Sequence, residues 1–504
     1  MGCRVLPGSA RRRQTLAALA CLAVVVACGN LPKLAKPPAR PGPNLLLIVA
    51  DDLGWGDVGF HGSRIETPRI DQLAAEGLEL RRFYVNPICT PTRAALLTGR
   101  SPMSLGLLYS GISRMRVDAG LARDEYTIAE YFRAAGYSTA LVGKWHLGAV
   151  RSEYLPNPQG FELFYGQLGG LTDYYSHRFG KVLDWQENGV PLEVEGYATD
   201  LLGERAIRFL RERDPARPFL LVLSYTAPHW PYNAPSAELV AKYRQLGLPH
   251  PRNQYASVVE AMDASIGQVL DVLRKQAIAE NTIVVFLSDN GAAMAHQAGR
   301  NRPFRGGKLS VMEGGIRVPA VIRWPSRLPA GARSEQRMRD VDLFPTLAAA
   351  AGLEPPSGSL DGRNLWPTLV SGDEIPRRPF LFAADNLRAT GTSFAALGDR
   401  WKLVVREGPD GQRMELYNLS RDPWERFDVS RKHPKVVERL NAEIERWKAS
   451  HPRDGLRWNE REKALAHAEA GADWSSMTEV LRDPENLRTH LEDPERYLQR
   501  PPER

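Results

Sequence analysis

The sequence predicts an α/β protein: a large, mostly parallel sheet flanked by helices on both faces, with a smaller C-terminal antiparallel sheet. Three observations carry this. Nearly continuous apolar runs at residues 44–50, 218–224 and 282–288 are the mark of strands covered on both faces. Helical patterns separate them, among them residues 200–213 and the long stretch 253–276. From Phe380 onward the texture changes to short apolar runs (393–397, 401–406, 414–417) broken by Gly, Asp and Arg, which read as a small antiparallel sheet. With 504 residues and 43% hydrophobic content the chain can bury a large core and build two domains.

The first residues read as targeting rather than fold. Arg11-Arg12-Arg13 precedes an apolar run from Leu16 to Ala27 that is too short for a stable bilayer anchor, so residues 1–27 are expected to be a signal peptide. The run ends Val25-Val26-Ala27-Cys28, which resembles a bacterial lipobox and implies cleavage before Cys28 and a lipid anchor on its thiol. An ordinary secretory signal cut a little further on is the alternative. Residues 28–43, rich in proline and basic side chains, read as a tether. Of the four cysteines only Cys89 lies beyond this region, so the body has no intramolecular disulfide. The expected location is the bacterial cell envelope, as an exported periplasmic or outer-membrane lipoprotein whose only membrane contact is the lipid on Cys28. The formal charge of +7 falls to +3 without the four leader arginines. There is no basic stripe or reader motif, so no nucleic-acid partner is expected.

The elements follow in order. The 44–50 strand runs into Asp51-Asp52, adjacent carboxylates that repel unless a cation sits between them. Thr67-Pro68 starts a helix that Gly77 ends. In Cys89-Thr90-Pro91-Thr92-Arg93 a helix begins, with Thr90 as cap, Pro91 at the first position and Gly99 at the end. Position 89 then sits at the positive end of that helix, an anion site. Thr127 and Glu130 form a capping box for a further helix. A strand at 138–142 delivers Lys144 and His146 from its carboxyl end, where open α/β sheets place their sites. His229 follows the 218–224 strand, and Asp289-Asn290-Gly291 follows the 282–288 strand. Asp289-Asn290-Gly291 on its own also reads as a hairpin turn, and Lys308 on its own as a solvated loop lysine. Residues 44–367 are expected to form the catalytic domain and 368–453 a small sheet-plus-helix domain, with 454–504 a charged surface tail.

Cys89, Pro91, Arg93, Thr98 and Gly99 together match C-x-P-x-R-x4-T-G, and residues 136–146 read G-Y-x-T-x-x-x-G-K-W-H. Both resemble the signatures of type I sulfatases, and the aromatic segment 160–177 resembles that of N-acetylgalactosamine-4-sulfatases in particular. The resemblance implies an alkaline-phosphatase-like fold and hydrolysis of sulfate esters, with a sulfated glycan or aryl sulfate as substrate. It further implies that Cys89 is converted to Cα-formylglycine by a formylglycine-generating enzyme. One calcium ion, with magnesium as the alternative, is then implied on Asp51, Asp52, Asp289, Asn290 and the converted Cys89. Hard oxygen donors suit either ion. Arg93, Lys144 and Lys308 would neutralise the sulfuryl oxygens, His229 or Lys308 would protonate the leaving oxygen, and His146 would take a proton from residue 89. Two other readings stay open: a phosphodiester or phosphonate ester hydrolase using the same aldehyde, and a glycan-binding protein without turnover.

Overall fold

The structure, a computed structural model, describes residue 2 and residues 42–108, 119–356, 358, 360–385 and 391–450. The leader, Cys28, most of the tether and the tail from residue 451 lie outside the described residues.

A ten-stranded sheet forms the centre of the molecule. Its middle is parallel: Thr282–Ser288, Asn44–Ala50, Phe219–Ser224, Ser138–Gly143 and Leu163–Gly166 lie side by side in that order. Beyond Thr282–Ser288 the strand Ala320–Arg323 turns antiparallel, followed by Leu78–Leu80 and Ala332–Ser334. The sheet is thus mixed at its edges and parallel where it matters for the site.

The leucine-rich strand Asn44–Ala50 shows why helices cover both faces. Its side chains alternate: Leu45, Leu47 and Val49 join one apolar core, while Leu46, Ile48 and Ala50 join another. The first core is closed by the helices Cys89–Thr98, Ile128–Ala134 and Leu343–Ala350. The second is closed by Pro68–Glu76, Ala198–Glu212 and Arg252–Lys275. Truncating one of the central leucines to alanine would cost about 2–5 kcal/mol.

A four-stranded antiparallel sheet follows, Phe380–Asp385, Thr392–Leu397, Trp401–Gly408 and Gly411–Asn418 in order, with the helix Pro434–Ala449 packed on it. Its other face shares a core with Tyr84, Val311, Met312 and Ile316 of the larger body.

One expectation changes and one alternative drops out. The helix at the signature begins at Cys89, one residue before its expected cap, and Thr90 turns its hydroxyl to the His146 carbonyl at 3.0 Å instead of capping. The turn reading of Asp289-Asn290-Gly291 does not hold, because the strand before it is central and parallel on its Asn44–Ala50 side. Gly99 does close the helix in the left-handed region (φ 65°), its N–H donating to Ala95.

Candidate active site

The parallel strands all point the same way, so their carboxyl ends share one edge. Hydrogen bonds continue past the strands: Asp289 N–H donates to the Ala50 carbonyl (3.0 Å), Lys144 N–H to Ser224 (2.8 Å) and Asp51 N–H to Ala227 (3.0 Å). These fix the residues just beyond each strand. Asp52 and His146 both adopt left-handed φ values, 64° and 60°. Such strain in non-glycine residues persists only where the surroundings enforce it.

The ten residues expected from the sequence come together here through a chain of short contacts. Lys144 Nζ lies 2.5 Å from Asp51 Oδ2. Lys308 Nζ donates to Asp52 Oδ2 at 2.9 Å and lies 2.9 Å from His229 Nε2. The Asn290 amide donates to Asp52 Oδ1 at 2.6 Å, and the Asp52 N–H to Asp289 Oδ1 at 3.2 Å. One ligand atom each from Asp51, Cys89 and Asp289 fall within 4.8 Å of one another, as do those of Asp51, Asp52 and His229. Cys89 is buried and free of any disulfide. All but Lys308 are buried, and Lys308 is only partly exposed.

Arg93 is turned away from an anion-binding pose. Its Nε and Nη2 grip Asp289 Oδ2 (3.1 and 2.7 Å), and Nη1 donates to the Lys144 carbonyl (3.0 Å) and Ser224 Oγ (2.5 Å). It ties the signature helix to three strand ends. Ser224 carries no signal in the sequence, where it looks like the last residue of an apolar run. Equally hidden is the support beneath the Asp51–Asp52 corner. Buried Asp57 accepts from Arg252 (2.5 Å) and Tyr255 (2.7 Å), and Tyr255 also donates to the Asp52 carbonyl (3.3 Å). No spacing signal links residues 57 and 252.

The electrostatics are those of a site that expects a cation and an anion. Burial, then the neighbouring Asp289, pushes Asp51 up to about 8 despite Lys144. Burial works the same way on Asp52, but the Lys308 ammonium, helped by the hydrogen bond from Asn290, overcomes it and holds that carboxyl below its ordinary range. Burial, reinforced by Lys144 and Arg93, holds His146 well below the usual imidazole value, hence neutral. Burial and Lys308 do the same for His229. Its Nδ1 faces the Trp230 carbonyl at 2.7 Å, so the proton sits on Nδ1 and Nε2 accepts from Lys308. Asp51 Oδ1, Asn290 Oδ1 and His146 Nδ1 are buried with no hydrogen-bond partner. Orphaned oxygens of this kind call for a ligand. The donor set, carboxylate and amide oxygens on rigid strand ends, fits a hard divalent cation.

Comparison with known proteins agrees. A family profile described as "Sulfatase" matches residues 43–353, and one described as "N-sulphoglucosamine sulphohydrolase, C-terminal" matches residues 307–450. The chain belongs to the sulfatase family. It is similar to mouse arylsulfatase J, 33% identical over 448 residues, covering 79% of this chain and 74% of that protein. It is also similar to human N-acetylgalactosamine-6-sulfatase, 35% identical over 436 residues, covering 77% and 81%. Among solved structures, Ps i-CgsB in complex with k-i-k-neocarrahexaose superposes with a TM-score of 0.77 at 31% identity, covering 86% of this chain and 99% of that one. This sulfatase is therefore a sulfuric ester hydrolase with the alkaline-phosphatase-like fold. The particular likeness to N-acetylgalactosamine-4-sulfatases is not confirmed by these relatives, which place the chain among type I sulfatases. They also overturn the expected location. The named relatives are mammalian sulfatases, not bacterial periplasmic lipoproteins, so the envelope-lipoprotein expectation is corrected. Among the described residues no helix is long and apolar enough to cross a membrane.

Proposed function

We propose that this sulfatase removes sulfate from a sulfated glycan, using a formylglycine made from Cys89 by a formylglycine-generating enzyme, beside one calcium ion. The observation that carries this is the meeting of Cys89 with Asp51 and Asp289 at the positive end of a helix, ringed by buried oxygens that lack partners. Asp51, Asp52, Asp289, Asn290 and residue 89 would hold the ion, which when bound supplies positive charge that makes an oxygen on residue 89 easier to ionise. The hydrated aldehyde offers two such oxygens, one to attack sulfur and one to surrender a proton later.

The other residues keep distinct tasks. Lys144 and Lys308 stand on either side of the aspartate pair, where their ammonium groups offset charge on the sulfuryl oxygens. Arg93 fixes Asp289. Lys308 also carries the proton for the leaving alcohol, because Asp52 holds its pKa above the ordinary lysine value against the pull of burial, and neutral His229 orients it. His146, neutral and with Nδ1 unpartnered, takes the proton from the second oxygen of residue 89. A glycan substrate is supported by the N-acetylgalactosamine-6-sulfatase relative and by the oligosaccharide bound to Ps i-CgsB.

The test is mass spectrometry of the Cys89 peptide together with turnover. Conversion of thiol to aldehyde lowers the peptide mass by about 18 Da. The converted protein is expected to hydrolyse 4-nitrophenyl sulfate well ahead of bis(4-nitrophenyl) phosphate, and to desulfate defined chondroitin, dermatan or algal oligosaccharides. A Cys89→Ala protein with full activity would refute the reading.

A further inference from the structure

Lys308 sits neither just past a strand end, as Asp51, Asp52, Lys144 and Asp289 do, nor on the signature helix, as Cys89 and Arg93 do. It lies in the glycine-rich segment between Arg305 and Glu313, and both ends of that segment are held by the C-terminal sheet and the loop that follows it. At one end Arg305 Nη1 donates to the Tyr417 hydroxyl and to the Glu425 carbonyl, each at 3.1 Å. At the other, the Glu313 N–H donates to Glu425 Oε2 at 2.7 Å. Lys402 Nζ reaches Glu313 Oε1 at 3.0 Å and Glu425 Oε1 at 2.8 Å. Glu313 Oε2 accepts from the Tyr84 hydroxyl at 3.0 Å and faces Arg317 at 3.5 Å. Glu313, Lys402 and Glu425 are all fully buried.

The anchors are adjacent to one another. Lys402 and Tyr417 are opposite partners in the ladder between Trp401–Gly408 and Gly411–Asn418. One pins Glu313 and the other pins Arg305. The two ends of the segment are also joined directly, Gly314 N–H donating to the Arg305 carbonyl at 2.7 Å. A Cβ at Gly314 would lie 2.6 and 2.7 Å from the carbonyl oxygens of Gly306 and Arg305, so the closure leaves no room for a side chain there. Between the anchors, Lys308 N–H donates to Ala292 (3.1 Å) and Leu309 N–H to Pro87 (2.7 Å), with Leu309 left-handed at φ 67°. A closed segment with both ends fixed delivers its middle residue to one place.

We propose that Glu313, Lys402 and Glu425, with the Arg305–Tyr417 hydrogen bond, form a clamp through which the C-terminal sheet sets the position of Lys308 in the active site. These are positioning residues: none touches the reacting atoms, and each acts through Lys308. The proposal rests on the role given to Lys308 above. A buried charge cluster in place of an apolar contact suits this task, because ion pairs and hydrogen bonds are directional where apolar packing is not.

The test is a double-variant cycle on the full chain, reading kcat/KM on 4-nitrophenyl sulfate and the thermal midpoint. Glu425→Ala is expected to lower kcat/KM about tenfold, in line with the sensitivity of positioned groups to sub-ångström displacement. Glu425→Gln, which keeps an acceptor for the Glu313 N–H but turns its amide nitrogen to the Lys402 ammonium, is expected to fall between the parent and Glu425→Ala. In a Lys308→Ala background, Glu425→Ala is expected to cost nothing further, since the residue it positions is gone. Tyr417→Phe removes only a hydroxyl. It is expected to lower kcat/KM about threefold in the parent and not in Lys308→Ala, and it carries the cycle should Glu425→Ala fail to fold. Equal losses in both backgrounds would mean general damage and overturn the clamp. So would an unchanged Glu425→Ala enzyme beside a crippled Lys308→Ala enzyme. A Lys308→Ala enzyme with undiminished kcat/KM overturns the catalytic reading itself, and the clamp with it.

Discussion

Two clusters of buried charge lie on either side of the segment that carries Lys308, and they are built differently. At the edge of the large sheet, three carboxylates (Asp51, Asp52, Asp289) face three cations (Arg93, Lys144, Lys308), yet Asp51 Oδ1 and Asn290 Oδ1 find no hydrogen-bond partner. Against the C-terminal sheet, Glu313 and Glu425 face Lys402 and Arg317, and Lys402 closes on both carboxylates. Charge and burial are similar in the two places. The difference is what faces the lone pairs left over: Glu425 Oε1 also makes no aligned hydrogen bond, yet the Lys402 ammonium lies 2.8 Å from it, whereas Asp51 Oδ1 and Asn290 Oδ1 at the sheet edge have no donor. A cluster that satisfies itself is a fastener; one that keeps oxygens in reserve is a receptor for something not yet bound.

Four changes and one titration press on this comparison. The greatest effect is expected at Cys89: Cys89→Ala should lower kcat by on the order of 10^4 or more, as deletion of a covalent nucleophile does. The thermal midpoint should barely move, because the group lost is small. A variant that unfolds instead would assign Cys89 to the fold. Next, Lys402→Met leaves Glu313 and Glu425 without their shared ammonium and should cost about 3–5 kcal/mol of stability, read by urea unfolding. A neutral result would show that the second cluster fastens nothing. Lys308→Ala should reduce kcat/KM by roughly 10^2–10^3, the scale for one group stabilising developing charge. Its stability should fall by less than that of Lys402→Met, because the Lys308 side chain is partly exposed.

Calcium comes after these. Saturating ion at about a hundred times its Kd should stabilise the protein by about 2.7 kcal/mol, and a chelator should reverse the gain. Calcium that leaves the midpoint unmoved would count against the oxygen ring as its receptor. The smallest effect concerns Glu425, which burial pushes up from 4.5 to about 7. The charged groups acting on it are Lys402, which lowers the value, and Glu313, which raises it. With a raised folded-state value, the parent binds more protons folded than unfolded between about pH 4.5 and 7, so its stability falls as pH rises through that window. Glu425→Gln does not titrate. Its midpoint relative to the parent should therefore rise by a few degrees between pH 5 and pH 8; a constant difference would remove Glu425 from the pH response.

The sequence discloses these two clusters unequally, for a physical reason. Asp51, Lys144, His229 and Asp289 each come at or just past the end of an apolar run, and parallel strands must carry the residues beyond their carboxyl ends to one edge. Lys308 is legible only by resemblance, because a lysine in a glycine-rich stretch looks solvated. Lys402 and Glu425 are not legible at all. In Trp401–Gly408 the lysine reads as an outward polar position of an alternating strand, and only the packing of that face on Glu313 buries it. Ser224 and the Asp57–Arg252–Tyr255 support are hidden in the same way, by partners far away in the chain. Helix ends lie closer to the text: the Thr127–Glu130 box forms as written, whereas Thr90 gives up its cap for a partner 56 residues away.

The strand Asn44–Ala50 is gripped on both flanks by parallel neighbours, paired residue for residue with Thr282–Ser288 and again with Phe219–Ser224. Sliding it by a single step would turn every leucine to the opposite layer and put Asp52's successor where a ligand belongs. Evolution can therefore lengthen or rewrite the loops at this rim, where substrates are told apart, while the spacing of the two acids behind them stays locked by the floor they stand on.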